Sequence, residues 1–229
     1  MRIDTSLDQK IASEIKAENE KQIASRVRSG KLSASILHWP LQWQVLKYLR
    51  VPSKPIDDYV LRKFLRGRHV EEWLVSKMGE VKTQTAVEYK DCIGYVDVIT
   101  TNGMVHEIKS VTNAKYRRIM KDNQADESHR LQGCLYALGL NKQEYTIDYV
   151  STDDYRVTSF VYEVDEIKVK VDTIIKEYNE ALVKRQVPLF IPRYKWQENS
   201  EYNSFPQFST SSMNDLINIL NHHKVEWPK

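Results

Sequence analysis

The feature of this sequence that most restricts its fold is residues 81–111, where apolar and polar side chains alternate. The alternation runs through three segments, VKTQTAVEYK, CIGYVDVIT and MVHEIKSV. A period of two is the pattern of a β-strand with one buried face. Thr101-Asn102-Gly103 lies between the second and third segments, and Asn-Gly supplies the positive-φ residues that a tight hairpin needs. These residues therefore predict a three-stranded antiparallel meander.

Helical patterns surround the meander, over residues 32–52, 57–80, 129–140 and 165–186, with a short final helix from residue 213. In the first of these helices we expect Ser33 or Ser35 to be the cap, while Pro40 marks its first turn or a break. Gly67 is expected to interrupt the second helix. The polar, basic connection after the meander predicts a loop or a partly helical segment, and residues 144–164 predict a further pair of strands.

The order of these elements predicts the fold class. A helix, three strands, a helix, a strand pair and a helix indicate an α/β fold, with a central mixed sheet of four to five strands flanked by helices. The 229 residues are enough for one such domain with additions. We assign that domain to residues 32–195. An N-terminal helical arm over 1–31 precedes it, and a C-terminal tail over 196–229 carries the short final helix.

Composition excludes several classes of protein. The only cysteines, Cys92 and Cys134, do not form a CxxC pair, which argues against a disulfide framework, a zinc ribbon or an iron–sulfur site. The first residues are charged and lack an apolar segment, so no signal peptide is expected. The sequence contains no apolar run of about 18 residues, so no membrane span is expected. We therefore expect a cytoplasmic protein, and its net charge of +3 is compatible with a polyanionic partner.

Three charged residues of the meander are candidates for chemistry. Glu107 and Lys109 are two positions apart on one strand, so their side chains leave the same face. The predicted hairpin brings Asp97, on the preceding strand, beside them. Two carboxylates held together raise each other's pKa unless a cation lies between them. A surface ion pair is the simpler alternative, because charged strand edges often contain Glu-x-Lys.

A divalent cation would give this cluster a function. Carboxylate oxygens suit Mg²⁺ or Mn²⁺, and the carbonyl of Ile108 could add a ligand. Such an ion polarises a phosphoryl oxygen and activates water, while a lysine stabilises developing negative charge. Asp97, Glu107 and Lys109 therefore form the simplest apparatus for metal-dependent hydrolysis of a phosphodiester.

Three motifs in the surrounding sequence resemble a known family. Gly94-Tyr95-Val96-Asp97, Glu107-Ile108-Lys109 and Gln132-Gly133-Cys134-Leu135-Tyr136 match, in order, the GxxD, ExK and QxxxY motifs of the RecB-like branch of the PD-(D/E)xK nucleases. The resemblance extends over about residues 33–195. It implies a restriction-endonuclease-like core, with helices on both faces of a mixed sheet, and metal-dependent cleavage of DNA.

The resemblance also implies roles for individual residues. Glu71, four residues after Gly67, would hold the metal together with Asp97 and Glu107, and Lys109 would be the catalytic lysine. His69 and Glu72 remain alternatives to Glu71, because the phase of the helix is not fixed by its sequence.

Two further residues follow the meander in the family pattern. Gln132 and Tyr136 share one helix face and would line the cleft as further catalytic residues. His129, one turn earlier on the same helix, is a weaker candidate for a place near that cleft. Without the resemblance, Tyr136 is more simply a core tyrosine.

Basic residues on both sides of the predicted cleft are candidates for nucleic-acid binding: Arg66, Arg68, Lys115, Arg117 and Arg118. They would neutralise phosphates. Tyr116 lies within the second group and is expected to stack on a base of a single strand. Ordinary solvated surface is the alternative for each of these residues.

The sequence thus predicts a Mg²⁺- or Mn²⁺-dependent deoxyribonuclease, of a compact type common in phages. We expect an exonuclease that acts on DNA ends or single strands, with replication or recombination proteins as partners. A site-specific or structure-specific endonuclease, and a catalytically silent DNA-binding module, are the alternatives. The four cysteines of cluster-containing relatives are missing, so no iron–sulfur cluster is expected. No GxxxxGK[ST] phosphate loop of a helicase occurs either.

Overall fold

A computed structural model of the chain describes residues 5–25 and 30–228. The helices within these ranges are α1 (Ser6–Ser25), α2 (Leu41–Tyr48), α3 (Asp58–Val75), α4 (Asn113–Asp122), α5 (Glu127–Gly139), α6 (Lys168–Val183) and α7 (Met213–His222). The strands are β1 (Leu32–Ser33), β2 (Val81–Tyr89), β3 (Cys92–Thr100), β4 (Val105–Val111), β5 (Glu144–Ser151) and β6 (Val157–Glu163).

The strands form one mixed sheet, as predicted. Their order is β1-β3-β4-β5-β6, with β2 on the other edge of β3. The pairs β1–β3 and β4–β5 are parallel, and the remaining pairs are antiparallel. The meander of β2, β3 and β4 and the strand pair of β5 and β6 are therefore confirmed. The described residues contain six strands rather than four to five, because β1 is two residues long and too short to show an alternation.

The turn between β3 and β4 has the predicted position. The Gly103 N–H donates to the Thr100 carbonyl at 2.8 Å, and the Met104 N–H donates to Oδ1 of Asn102 at 3.2 Å. Gly103 has a φ of 81°, which glycine adopts without a steric cost. Of the Asn-Gly pair only the glycine has a positive φ. The hydrogen bond between residues 103 and 100 makes Asn102 a central residue of the turn, and Gly103 follows it in the left-handed region, as in a three-residue hairpin loop.

The prediction of one helix over 32–52 is wrong. The segment contains β1, a 3₁₀ turn over Ala34–Ile36 and then α2, with Pro40 directly before the helix. The Gln44 side chain donates to the carbonyls of Ile36 and Leu37, at 3.0 and 3.1 Å, and so ties the turn to the helix.

Two further helices differ from expectation. Helix α3 continues through Gly67, where a Cβ would only reach ordinary contact with Ser110, so the predicted interruption is wrong. The connection after the meander contains a complete helix, α4, whose first turn is capped when Thr112 accepts from the Lys115 N–H at 3.4 Å. Tyr116 and Ile119 are buried on its inner face, and this amphipathic pattern explains why the polar segment is helical.

The sheet separates two apolar clusters. Val70 and Leu74 of α3 pack with Val98, Ile108 and Val150 of the sheet. The larger cluster joins the other face to the remaining helices, from α2 to α7. Since neighbouring residues of a strand face opposite sides, Glu107 and Lys109 lie on the face away from Ile108.

The C-terminal tail belongs to the larger cluster. Phe205, Phe208 and Leu216 are almost completely buried in it. The buried Gln42 of α2 donates to the carbonyls of Pro188 and Phe208, at 3.1 and 3.4 Å. The beginning and the end of the core are thus joined by one side chain.

In the described part of the chain, no helix has the length and apolar character needed to cross a membrane.

Candidate active site

The site forms where strands β3 and β4 part. Their pairing includes Val98 with His106 and Ile99 with Val105, but it ends before Asp97 would meet Glu107. There Oδ2 of Asp97 accepts a hydrogen bond from the Ile108 N–H at 2.8 Å. A carboxylate thus takes the place of a backbone carbonyl, which opens the sheet and leaves Asp97 beside Glu107.

The pairing of β3 with β2 is interrupted at the same position. The register omits Gln84 and Asp97, which lie between the paired residues on either side. Gln84 has a φ of 47°, an uncommon value for a residue other than glycine. Its amide nitrogen donates to Oε1 of Glu71 at 2.8 Å. Asp97 therefore lies in a local gap on both edges of its strand, and Gln84 links this gap to α3.

Glu107 is the most buried acid of the site, with no exposed surface. One of its oxygens forms an ion pair with Nζ of Lys109. Burial raises the pKa of Glu107 to about 8; the Lys109 ammonium opposes this rise, and the Asp97 carboxylate adds to it. Burial by itself lowers the pKa of Lys109, but Glu107 and Asp97 together raise it above its ordinary value.

The other two carboxylates share this electrostatic environment. Burial raises the pKa of Asp97, against the Lys109 charge and the Ile108 N–H. Burial also raises the pKa of Glu71, and the Asp97 carboxylate adds to that rise. Asp97 acts on both Glu71 and Glu107, and Glu71 acts on Glu107, so the three acids are brought together. His69 and Glu72, the alternatives to Glu71, are exposed.

Helix α5 completes the cluster. Nζ of Lys109 donates to Oε1 of Gln132 at 3.4 Å, and the Gln132 amide donates to the Tyr136 hydroxyl at 2.8 Å. Tyr136 is almost fully buried and packs against Gly94, where a Cβ would overlap its ring. Burial raises the pKa of Tyr136, so its hydroxyl stays protonated. The three sequence motifs therefore meet through direct contacts between their residues.

Two histidines near the site bear on its electrostatics. Burial and then the Lys109 charge lower the pKa of His38 from 6.5 to about 4. The same two causes, in the same order, hold the pKa of His129 well below its ordinary value. Because both pKa values are lowered, the rings of His38 and His129 are neutral at physiological pH. His129 also bonds to the Tyr149 hydroxyl at 2.7 Å. His129 was a weak sequence candidate, whereas His38 and Gln84 were missed because no local motif marks them.

The donor set suits a hard cation, although the side chains are not arranged around one. Among residues 5–21 and 30–228, no group of three His, Cys, Asp or Glu side chains is placed to hold a metal ion. Each acid has another partner: Glu71 accepts from Gln84, Asp97 accepts from the Ile108 N–H, and Glu107 pairs with Lys109. The chemistry nevertheless fits, because three converging carboxylates offer the oxygens that Mg²⁺ and Mn²⁺ prefer.

The candidate nucleic-acid residues differ in their accessibility. Arg66 and Arg117 are exposed. Arg68 forms an ion pair with Glu18 of α1 at 3.1 Å. Lys115 and Arg118 both approach Asp126, at 2.6 and 3.5 Å.

The predicted stacking role of Tyr116 is wrong. Its side chain is 5% exposed and bonds to the Thr158 hydroxyl. The Arg156 guanidinium lies 5.0 Å from the centre of the ring. The helical phase of α4 turns this tyrosine inward, although its neighbours in sequence are basic.

Comparisons with known proteins show that several solved structures share this fold. No family model and no curated protein sequence matches the chain. Among solved structures, an alkaline exonuclease (LHK-Exo) from Laribacter hongkongensis matches with a TM-score of 0.53 and 14% identity, over 72% of this chain and 93% of that one. The chain shares the fold of this exonuclease. The structure of SSO0001 also shares this fold and matches with a TM-score of 0.56 and 16% identity, over 88% of this chain and 96% of that one. The same exonuclease in complex with dAMP matches over 68% and 89%, with a TM-score of 0.53 and 14% identity.

Proposed function

We propose that this protein is a Mg²⁺- or Mn²⁺-dependent deoxyribonuclease of the RecB-like branch that removes nucleotides from DNA ends or single strands. One observation carries the proposal: Asp97, Glu107 and Lys109 converge where β3 and β4 part, within a nuclease fold. Burying like charges costs free energy unless a cation offsets their repulsion. A surface ion pair does not account for a carboxylate with no exposed surface.

The residues have distinct parts in this chemistry. Glu71, Asp97 and Glu107 would hold the cation, with the Ile108 carbonyl as a further ligand. When bound, the cation supplies Lewis-acid chemistry at the phosphoryl oxygen and the attacking water.

Lys109 offers its ammonium to the negative charge that develops on the phosphate. Gln132 holds this ammonium at 3.4 Å and is itself held by Tyr136, so the donor is oriented before the substrate arrives. The hydrogen bonds of Gln132 and Tyr136 therefore keep the lysine in its working position.

DNA is the proposed substrate. Arg66 and Arg117 are exposed and form no ion pair with another described residue, so they can contact phosphates. The solved exonuclease of the same fold in complex with dAMP supports a deoxynucleotide chain as the substrate class. Replication or recombination proteins remain the proposed partners, and with only two cysteines the proposal includes no iron–sulfur cluster.

The test is digestion of end-labelled single-stranded and double-stranded DNA with Mg²⁺ and with Mn²⁺. Asp97→Asn and Lys109→Met should each lower the rate by about 10²–10³, the usual cost of removing a group that stabilises the transition state. Asp58→Asn, at an exposed acid of the first turn of α3, is the matched control and should cut like the parent.

A circular single strand distinguishes the modes of attack, because an exonuclease leaves it intact and an endonuclease linearises it. If neither ion supports cleavage by the parent, the nuclease proposal is wrong. If Asp97→Asn and Lys109→Met cut as fast as the parent, the site is wrongly assigned.

A further inference from the structure

The C-terminal tail and the residues just before it place three aromatic rings at the surface. The ring of Trp196 lies 6.5 Å from the ring of Tyr194 and nearly parallel to it, at an angle of 13°. Tyr202 packs edge-on against Trp196 at 5.8 Å. The ring of His38 lies 6.0 Å from the same tryptophan. We call Tyr194, Trp196 and Tyr202 the aromatic platform.

Hydrogen bonds hold the platform in position. The buried Gln197 accepts from the N–H groups of Arg193 and Tyr194, at 2.8 and 3.1 Å, and donates to the His38 carbonyl at 2.9 Å. The Arg193 guanidinium donates to the Trp39 carbonyl at 2.9 Å. Because the backbone beneath the rings is fixed, a ligand that stacks on them meets a pre-organised surface.

The platform is linked to the candidate active site through α5 and through His38. The Tyr194 hydroxyl donates to Oε1 of Glu127, in the first turn of α5, at 2.8 Å. Gln132 lies on the same helix five residues later, which is about 7.5 Å along its axis. On the other side, His38 is close enough to Lys109 for that charge to lower its pKa, after the larger effect of burial.

The platform is also open to solvent. Trp196 is 43% exposed and Tyr202 is 57% exposed, whereas Trp43 of the core is 1% exposed. Single exposed aromatic residues are ordinary and need no explanation. Here two exposed rings touch each other, on a fixed backbone, beside a site suited to phosphate chemistry. A nucleobase is the flat, partly polar group that such a surface accommodates.

We propose that the aromatic platform is a stacking site for an unpaired nucleobase of the DNA strand, with Trp196 as its central ring. The proposal rests on the nuclease function and adds a substrate preference to it. A paired base is already stacked within its duplex, so the platform favours a single strand or a frayed end. Stacking reads no base edge and therefore gives little sequence specificity.

The test measures binding without cleavage, using the Asp97→Asn protein in EDTA and a fluorescent oligothymidylate. Adding Trp196→Ala should weaken binding by roughly 5- to 150-fold, since stacking contributes about 1–3 kcal/mol per base. Adding Trp196→Phe should restore most of the affinity. The dependence of binding on salt should not change, because no phosphate contact is lost. Tyr59→Ala removes an aromatic ring on α3 that is 67% exposed and is the control.

Oligonucleotides with one abasic position separate stacking from a structural effect. At one position the missing base should weaken binding to the Asp97→Asn protein, but not to its Trp196→Ala derivative. If Trp196→Ala leaves the affinity for the intact oligonucleotide unchanged, the platform is not a stacking site. The same conclusion follows if Trp196→Ala weakens binding by the same factor for every abasic oligonucleotide, wherever its missing base lies. If the Asp97→Asn protein binds no oligonucleotide and the parent cuts none, the nuclease proposal fails and the platform fails with it.

Discussion

The ring of Tyr136 lies directly against Gly94, so that a side chain of any size at residue 94 would overlap it. The glycine of one motif is therefore explained by the tyrosine of another. Tyr136 in turn holds Gln132, which holds the lysine of the third motif. Packing at Gly94 thus determines where the Lys109 ammonium is held.

Gly94→Ala should destabilise the protein by about 1–3 kcal/mol, the usual cost of overpacking a core. Gly67→Ala is the matched control: it lies inside α3 with room for a Cβ and should stabilise by up to about 1 kcal/mol. Urea unfolding measures both free energies. Equal stability of the two variants would contradict the close packing of Tyr136 on Gly94.

Helix α3 offers two adjacent glutamates in different environments. Glu71 bonds to Gln84 and interacts with Asp97, whereas Glu72 is exposed. We expect Glu71→Gln to weaken Mn²⁺ binding at least about tenfold, since even indirect partners of a metal contribute 10- to 100-fold. Glu72→Gln removes the same charge one residue away and should change affinity little. Calorimetric titration of both variants decides which glutamate serves the cation.

The burial of Glu107 should make the stability of the metal-free protein depend on pH. Burial raises the pKa of Glu107 from 4.5 to about 8, so the folded protein keeps a proton that the unfolded chain releases. This stabilising contribution is fully present below 4.5 and is lost as the pH rises through about 8. A bound cation replaces the proton, so the gain in melting temperature with Mn²⁺ should grow across this range. Thermal unfolding with and without Mn²⁺ measures the gain.

Glu107→Gln is the control for that pH dependence. The neutral amide has no proton to lose, so the melting temperature of this variant should change less between the two pH limits. Its response to Mn²⁺ should also be small at every pH. A parent protein whose metal-free stability rises through the same range would show that Glu107 is ionised in the folded state.

Helix α1 is held on α3 by an ion pair whose carboxylate a DNA phosphate could replace. Glu18 pairs with Arg68 at 3.1 Å. Glu18→Gln should free this arginine and raise the affinity for single-stranded DNA by up to about fivefold, because an exposed ion pair contributes about 0.2–1 kcal/mol. Glu14→Gln removes the same charge, but its partner Lys10 lies on α1 itself, 3.9 Å away. A fluorescence titration at low salt should separate the two, and an equal rise in both would indicate a general charge effect.

The sequence predicts the centre of this site better than its surroundings. Asp97, Glu107 and Lys109 could be placed together because a period of two and an Asn-Gly turn determine which side chains share a face. Gln84 could not be found, since its role depends on a left-handed φ within a strand, which no propensity indicates. Tyr116 was misplaced because its basic neighbours suggested surface, while the phase of α4 buries it.

The edges of the fold show the same limit. Strand β1 is too short for any periodicity, and its pairing with β3 is a long-range contact. Gly67 is expected to interrupt α3, but α3 continues through it, because a single glycine weakens a helix without ending it. The platform around Trp196 depends on contacts with residues more than 150 positions earlier, so local patterns could not reveal it.

The hydrogen bonds of Gln42 have a consequence for how the protein is made. The partners of this buried amide are carbonyls at residues 188 and 208, which a ribosome synthesises long after α2 has emerged. A nascent chain that ends before these residues must leave a polar group of α2 in water or bury it without a partner. The native core can therefore close only after residue 208 has been synthesised and has left the ribosome.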